Sequence, residues 1–148
     1  MQFNSIADLR ANKRRPCTNE LIYVLGYWAP GDSGGGEFYW NATSTAVDDG
    51  GVTIQDSQYD CTNTGRWIRV ITTDKVSVRW FGAKGDNVTI DTLAFNNCAT
   101  YIKGASFRRV MFLPDGTYVT GRVDITGVFT VEGNGPRVIV QNIAGEDI

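Results

Sequence analysis

The last third of the chain contains short β-strand patterns in close succession, with no helical pattern between them. Apolar and β-branched runs of three to five residues alternate there with breaks that read PDG, TG, TG and GNGP. The predicted strands cover residues 109–113, 117–120, 123–125, 129–132 and 138–141. Connections this short suit strands that wind into successive rungs, so the pattern predicts a parallel β-helix.

One helix pattern precedes these strands. Apolar side chains recur there at every fourth position, as expected for one face of a helix: Ala94, Cys98 and Ile102. Asp91 is the predicted N-cap, and Gly104 is the predicted end of the helix. Upstream, the alternation over residues 75–81 predicts a strand, and the glycine-containing loop GAKGDNVTID connects it to the helix.

Residues 20–73 have the sequence of a small β-module. Strand patterns at 21–25, 37–40, 52–54 and 65–70 are separated by two glycine-rich turns, GDSGGG and DDGG. The alternation over 65–70 predicts that Trp67 faces inward. Aliphatic residues are few in this region, so the core is expected to use large aromatic side chains: Tyr27, Trp28, Phe38, Trp40 and Trp67.

Residues 1–19 are predicted to form an arm with a short helix that begins after Ser5 and that Pro16 ends. A helix of so few turns is not stable alone in water. Its apolar side chains must therefore dock on the chain's own body, on a second copy or on another protein. The candidate interface residues in this arm are Ile6, Leu9, Arg10, Arg14 and Arg15.

The string GDSGGG resembles the surroundings of a protease nucleophile, but the chain contains no histidine. This excludes Ser-His-Asp and Cys-His mechanisms, and it removes most zinc and copper sites. A phosphate-binding loop is excluded too, because Glu37 stands where that motif requires lysine. No catalytic residue, metal ligand or cofactor is predicted. The glycines are interpreted as turn residues: Gly31, Gly34, Gly35, Gly36, Gly50 and Gly51.

Composition narrows the possible partners. The net charge is -2, which gives no reason to expect nucleic acid, and the apolar runs are too short for membrane insertion. The three cysteines are interpreted as reduced thiols, with a Cys17–Cys61 bridge as the alternative. The carboxylates are interpreted as structural: Asp48, Asp49 and Asp115 in turns and Asp91 as a cap. Asp86 with Asn87 is the alternative candidate for binding a cation.

Aromatic side chains of the β-module allow a second interpretation, a sugar-stacking platform. Trp28 and Tyr39 are the candidates. Strand alternation places Tyr39 on the opposite face from Phe38 and Trp40, so it is the aromatic residue expected to be exposed.

Two groups of motifs resemble a known family. VRWFGAKGDNVTIDTLAFNNCATYI, VMFLPDGTYVTG and FTVEGNG resemble the entrance to the pectate-lyase-like right-handed β-helix. In this chain Asn87 replaces a usual glycine, and Ile90 replaces the first aspartate of the family's DDT, so any polar contact of that aspartate is absent. Upstream, GYWAPGDSGGGEFYWNATSTAVDDGGVTI and GRWIRV resemble the module that precedes the β-helix in bacteriophage tailspikes.

The resemblance implies a mainly β architecture in three parts. These are an arm (1–19), a glycine- and aromatic-rich attachment module (20–73) and the capping helix with the first coils of a right-handed parallel β-helix (74–148). It implies a homotrimer in the phage virion, synthesised in the bacterial cytoplasm and attached to a tail or baseplate protein. A β-helix beyond this fragment would bind and cleave host surface polysaccharide, as a hydrolase or a lyase, while the fragment itself is not an enzyme. Because a solenoid needs about three repeats, the natural chain is expected to continue or other subunits to cover its open end. The alternative function is a carbohydrate-binding module.

Overall fold

The computed structural model describes residues 1–56, 64–128, 130–134 and 138–142. The chain divides into two compact units, Met1–Thr72 and Thr73–Ile148. The residues of the predicted arm lie within the first unit. In the described residues, neither helix combines the length and the apolar character that crossing a membrane would require.

A five-stranded sheet organises the first unit, in the order β1-β2-β3-β5-β4. Its strands are β1 (Gln2–Phe3), β2 (Leu21–Val24), β3 (Gly36–Asn41), β4 (Thr53–Ile54) and β5 (Arg66–Arg69). The last four strands pair antiparallel, whereas β1 adds two residues in parallel along the edge of β2. All four strand patterns predicted in this region are therefore confirmed as strands.

Helix α1 (Ile6–Arg10) closes the core of this unit. The Oγ atom of Ser5 accepts a hydrogen bond from the backbone N–H of Asp8 at 3.1 Å, which is the predicted N-terminal cap. Ile6 and Leu9 are buried in the chain's own core, so the chain itself supplies the docking surface that the sequence left open. The buried core residues are Ile6, Leu9, Ile22, Val24, Phe38, Trp40, Ile54 and Trp67.

Three of the five aromatic residues predicted for this core are buried in it. The rings of Trp40 and Trp67 lie 5.1 Å apart, and Phe38 is also fully enclosed. Tyr27 packs against the core from its edge. The prediction for Trp28 was wrong: β2 ends at Val24, and Trp28 lies in the following loop with 57% of its surface exposed.

Two three-stranded parallel sheets form the second unit, in the orders β10-β8-β6 and β11-β9-β7. The strands are β6 (Lys75–Ser77), β7 (Asp86–Ile90), β8 (Val110–Leu113), β9 (Gly116–Thr120), β10 (Val131–Gly133) and β11 (Val138–Asn142). Helix α2 (Thr92–Gly104) lies between β7 and β8 in sequence, close to the predicted position. Strands that are one coil apart in sequence are thus neighbours in space, which is the pairing that the predicted β-helix requires.

Three details of the second unit differ from the sequence prediction. The strand predicted over 75–81 ends at Ser77, because the Oγ atom of Ser77 accepts from the N–H of Arg79 and starts a 3-10 helix (Val78–Phe81). Residues 123–125 form no strand, since the Asp124 carboxylate accepts from the N–H of Thr126 and pairs with Lys103. Residues 86–90, predicted as loop, form β7. Phe129 lies outside the described residues.

Asp91 stands at the predicted cap position of α2, but its side chain makes no capping hydrogen bond. Its buried carboxylate instead accepts from the backbone N–H groups of Lys84 at 2.8 Å and Gly85 at 3.1 Å. The capping prediction for Asp91 is corrected accordingly, because this carboxylate fixes the loop before the helix. The predicted helix face is confirmed: Ala94, Cys98 and Ile102 are buried.

Candidate attachment surface

Asp32 organises the loop between β2 and β3, residues 25–35, which we call the glycine loop. Its Oδ1 atom accepts from the backbone N–H groups of Tyr27 at 2.9 Å and Gly34 at 2.8 Å. Its Oδ2 atom accepts from those of Trp28 at 2.7 Å and Ala29 at 3.1 Å. Burial raises the pKa of Asp32, but the hydrogen bonds outweigh this effect and hold the pKa below its ordinary value of 3.8. The charged carboxylate therefore links the two ends of the loop through hydrogen bonds.

The glycines of this loop allow close backbone contacts that a side chain would block. A Cβ atom at Gly35 would lie 2.2 Å from the carbonyl oxygen of Val24, and one at Gly26 would lie 1.7 Å from that of Ala29. The residues GDSGGG therefore form part of a tight backbone turn, as the sequence predicts. The carboxylate of Asp32 stabilises the same turn.

Arg69 of β5 ties the glycine loop to the second glycine-rich turn, residues 48–51. Its guanidinium donates to the carbonyl oxygens of Gly34 at 2.9 Å, Gly35 at 2.5 Å and Gly51 at 2.9 Å, and it lies 4.6 Å from the centre of the Phe38 ring. Arg69 is 4% exposed, and this burial lowers its pKa to about 9. The negative charge of Asp49 acts in the opposite direction and raises the pKa, but its effect is smaller. Sequence reasoning did not single out this residue. The signal was an arginine at an inward-facing position of a strand, in phase with Trp67.

The second turn is held by its own two carboxylates. Asp49 Oδ1 accepts from three successive backbone N–H groups, those of Gly51, Val52 and Thr53, at 2.8–2.9 Å. Asp48 accepts from the N–H of Gly50 at 2.8 Å and also pairs with Arg10. Both aspartates therefore have the turn role that the sequence predicts.

The five candidate interface residues of the arm fall into two groups. Ile6 and Leu9 are in the core and are not available as surface contacts, which corrects their assignment to an interface. Arg10 is half-buried in its bidentate pair with Asp48, with an Nη2–Oδ1 distance of 2.8 Å. Arg14 and Arg15 are exposed, and Arg14 pairs with Glu20. Of the five candidate interface residues, Arg14 and Arg15 are therefore the ones that are exposed on the surface.

The two candidate sugar-stacking residues lie on different elements. Trp28 is exposed on the glycine loop and meets Tyr27 edge to face, with ring centres 5.0 Å apart. Tyr39 is half-buried in β3, where its cross-strand partners are Leu21 and Ile68. Trp28, which the sequence placed in the core, is therefore more exposed than Tyr39.

The candidate cation-binding residues Asp86 and Asn87 lie in a groove of the second unit. A groove of about 550 Å³ is lined by Asp86, Asn87, Asp115 and their neighbours. The Asp86 carboxylate accepts from the backbone N–H and hydroxyl of Thr89 and from the N–H of Val88, which lowers its pKa to about 2. Asn87 takes a left-handed φ of 65°, which suits a position where the resembled family has glycine. Within the described residues, no three side chains of metal-ligating type come together.

The cysteines are described in part. Cys17 is exposed and Cys98 is buried, and neither forms a disulfide bond within the described residues. Cys61, the partner in the alternative bridge, lies outside the described residues.

Comparison with known proteins finds a matching domain and similar folds. Residues 2–72 match the model of the phage tail protein small four-stranded β-sheet domain. Tailspike protein 2 of bacteriophage CBA120, solved as its enzymatically active domain, matches 99% of this chain with a TM-score of 0.76 and 21% identity. The chain folds as the N-terminal region of a phage tailspike. The recognition made from the sequence motifs is thereby confirmed.

Two further tailspike-like structures agree. WceF of Pantoea stewartii, described as a glycan biofilm modifying enzyme with a tailspike-like parallel β-helix fold, matches 98% of the chain with a TM-score of 0.76 and 25% identity. The tailspike gp49 of Acinetobacter baumannii bacteriophage Fri1, a capsular polysaccharide depolymerase, matches 96% with a TM-score of 0.67 and 22% identity. This tailspike-like chain corresponds to about a fifth of the length of these three proteins, namely 20%, 22% and 23%. No curated protein matched it in sequence.

The four-stranded sheet named in the description of the phage tail protein domain also agrees with the sheet of the first unit. Strands β2, β3, β5 and β4 form four antiparallel neighbours, and β1 is a two-residue addition at the edge. The mainly β fold class predicted from the sequence is confirmed.

Proposed function

We propose that this chain is the particle-binding N-terminal region of a trimeric phage tailspike. Its first unit would contact a tail or baseplate protein, which places the spike on the virion after synthesis in the bacterial cytoplasm. The observation that carries the proposal is the family match over residues 2–72, which describes a domain of phage tail proteins.

The second unit is proposed to begin the β-helix body of the spike. Val76, Met111 and Val131 form one column across the parallel strands of β6, β8 and β10. Such a column is the repeating element of a solenoid core. Related structures are described as a capsular polysaccharide depolymerase and a glycan biofilm modifying enzyme, which supports a polysaccharide-cleaving body beyond these coils.

The fragment itself is proposed to be non-enzymatic. Four of its described carboxylates, those of Asp32, Asp49, Asp86 and Asp91, each accept at least two backbone N–H groups. A glycosidase pair needs two carboxylates that face a substrate across a cleft. Carboxylates engaged in holding turns are poorly suited to that role.

One observation favours a second candidate function. In the CBA120 spike, the fragment described as the enzymatically active domain matches nearly this whole chain, including its first unit. The first unit would then be a neck that supports the enzymatic body, and it would not itself touch the particle. The third candidate, a carbohydrate-binding module, is favoured by the exposed ring of Trp28.

Deletion of residues 1–72 from the full-length spike separates these functions. The deleted and intact spikes are supplied in trans to a phage that lacks its own spike gene. The attachment proposal predicts that the deleted spike stays trimeric and depolymerising in solution but is absent from purified particles. Loss of trimers or of enzymatic activity would favour the neck. Normal incorporation with weaker retention on immobilised host polysaccharide would favour the carbohydrate-binding module.

A further inference from the structure

The glycine loop presents a large apolar side chain to solvent. Trp28 is 57% exposed, and Ala29 and Pro30, which follow it, are exposed as well. Tryptophan is enriched among the residues that contribute most to binding at protein–protein interfaces. We propose that Trp28 is the anchor residue of the particle contact, inserting into an apolar slot of a tail or baseplate protein. This inference rests on the attachment function proposed above.

The backbone around Trp28 is already fixed by hydrogen bonds in the unbound chain. Asp32 accepts from the N–H of Trp28 and from the N–H groups on both sides of it, those of Tyr27 and Ala29. Ser33 takes a left-handed φ of 66°, an uncommon conformation for a residue with a side chain. Three hydrogen bonds from Arg69 fix the far end of the loop and its neighbouring turn. A loop of this kind loses little conformational entropy on binding, which is the condition for a strong anchor.

The chemistry beside Trp28 favours a protein partner over a sugar. A sugar-binding ring works together with polar side chains that bond the hydroxyl groups of the sugar. The carboxylate of Asp32, which accepts from the N–H of Trp28, already accepts four backbone N–H groups. The residues that follow Trp28 offer only a methyl group and a proline ring. Tryptophan is one of the residue types most enriched among the hot spots at the centre of protein–protein interfaces.

The test uses full-length spikes and particles of the same phage made without a spike. Incorporation is measured for the intact spike, for Trp28→Ala, for Trp28→Phe and for Tyr23→Ala. Tyr23 is the matched control, because it is a 51% exposed aromatic residue in β2 of the same unit. Trimer content and depolymerase activity are measured in solution for each variant, so that a folding defect is recognised separately.

The proposal predicts a loss of about tenfold or more in particle affinity for Trp28→Ala, as for an interface anchor. Trp28→Phe restores part of that affinity, and Tyr23→Ala stays within about twofold of the intact spike. Asp32→Ala keeps the Trp28 side chain but removes the hydrogen bonds that fix its loop, so we expect an intermediate loss of particle affinity.

Three results would overturn the inference. If Trp28→Ala spikes are incorporated normally while deletion of residues 1–72 abolishes incorporation, attachment is correct and its anchor lies elsewhere. If Trp28→Ala separates the trimer, the ring contacts a second copy of the chain. If it weakens only polysaccharide retention, the ring is a sugar platform. Normal incorporation after the deletion itself would instead remove the attachment function on which the inference rests.

Discussion

The two units of this chain differ in whether their cores are closed. In the first unit, helix α1 and the sheet enclose the core, so that Leu9, Phe38 and Trp67 are completely buried. In the second unit, Val131 and Val140 are in register with the buried residues Met111 and Tyr118, yet they remain 48% and 51% exposed. The same kind of apolar side chain is thus covered in one unit and open at the last strands of the other.

The difference follows from strand pairing. An antiparallel sheet with a helix on one face is complete once that face is covered. Stacked parallel coils are complete only when the next coil or a cap covers the last one. An apolar cavity of about 240 Å³ lies beside these exposed side chains and is lined by Val123, Ile125, Val131, Val140 and others. The first unit therefore has a core enclosed by its own elements, whereas strands β10 and β11 of the second unit leave apolar side chains exposed.

The largest expected effect comes from separating the two units. Residues 1–72 expressed alone should unfold cooperatively in urea, because their core is closed within the unit. Residues 73–148 expressed alone should show no cooperative transition and should bind hydrophobic dyes. As a control, Leu9→Ala in the first fragment should lower its free energy of unfolding by roughly 2–5 kcal/mol. A cooperative transition for the second fragment alone would contradict the comparison.

Arg69→Met tests what holds the closed unit together beyond its apolar core. The methionine fills similar space but leaves the carbonyl groups of Gly34, Gly35 and Gly51 without their donor. We expect the free energy of unfolding of residues 1–72 to fall by roughly 1.5–3 kcal/mol, the range for hydrogen bonds with a charged partner. Lys13→Met, at an exposed position of the same unit, should change it by less than about 0.5 kcal/mol. Equal effects of the two substitutions would show that the arginine bridge contributes nothing.

Acidification should affect the glycine loop through Asp32. Its folded pKa lies below its unfolded value of 3.8, so its contribution to stability is full well above pH 3.8. That contribution is lost as the pH falls through the folded pKa. Asp32→Asn should therefore cost about 1 kcal/mol at neutral pH and progressively less at acid pH. Urea unfolding of both proteins across this pH range measures the difference, and a gap that widens on acidification would contradict the assignment.

The smallest effect is expected at the open end of the second unit. In the isolated chain, Val140→Thr should change stability by less than about 0.5 kcal/mol, because the side chain is half-exposed. In the full-length spike the same substitution should cost roughly 1–3 kcal/mol, because a covering coil would bury the added hydroxyl. Hydrogen exchange of β11 in both contexts measures this. Equal small effects in both would mean that no further coil covers the second unit.

The sequence predicted the fold where local patterns and packing agree. Alternation located the strand around Trp67, and the four-residue repeat of Ala94, Cys98 and Ile102 located α2. The sequence pattern wrongly predicted that Trp28 is buried. Strand β2 ends at Val24 because the following residues hydrogen-bond to Asp32, and no change in hydrophobicity marks this end.

The candidate surface was less predictable for the same reason. The role of Arg69 depends on carbonyl groups from three glycines distant in sequence, so its inward-facing strand position indicates burial but does not identify these partners. The core residues Ile6 and Leu9 were named as docking side chains, but a pattern of apolar residues cannot tell the chain's own core from a partner.

The central claim is that the first unit holds a tailspike on its particle. Cryo-electron microscopy of intact phage particles, resolved around the base of the spike, tests it most directly. The account predicts that residues 1–72 contact a tail or baseplate protein and that Trp28 lies within that contact. A map in which residues 1–72 touch only the spike itself, with another region bound to the particle, would contradict it.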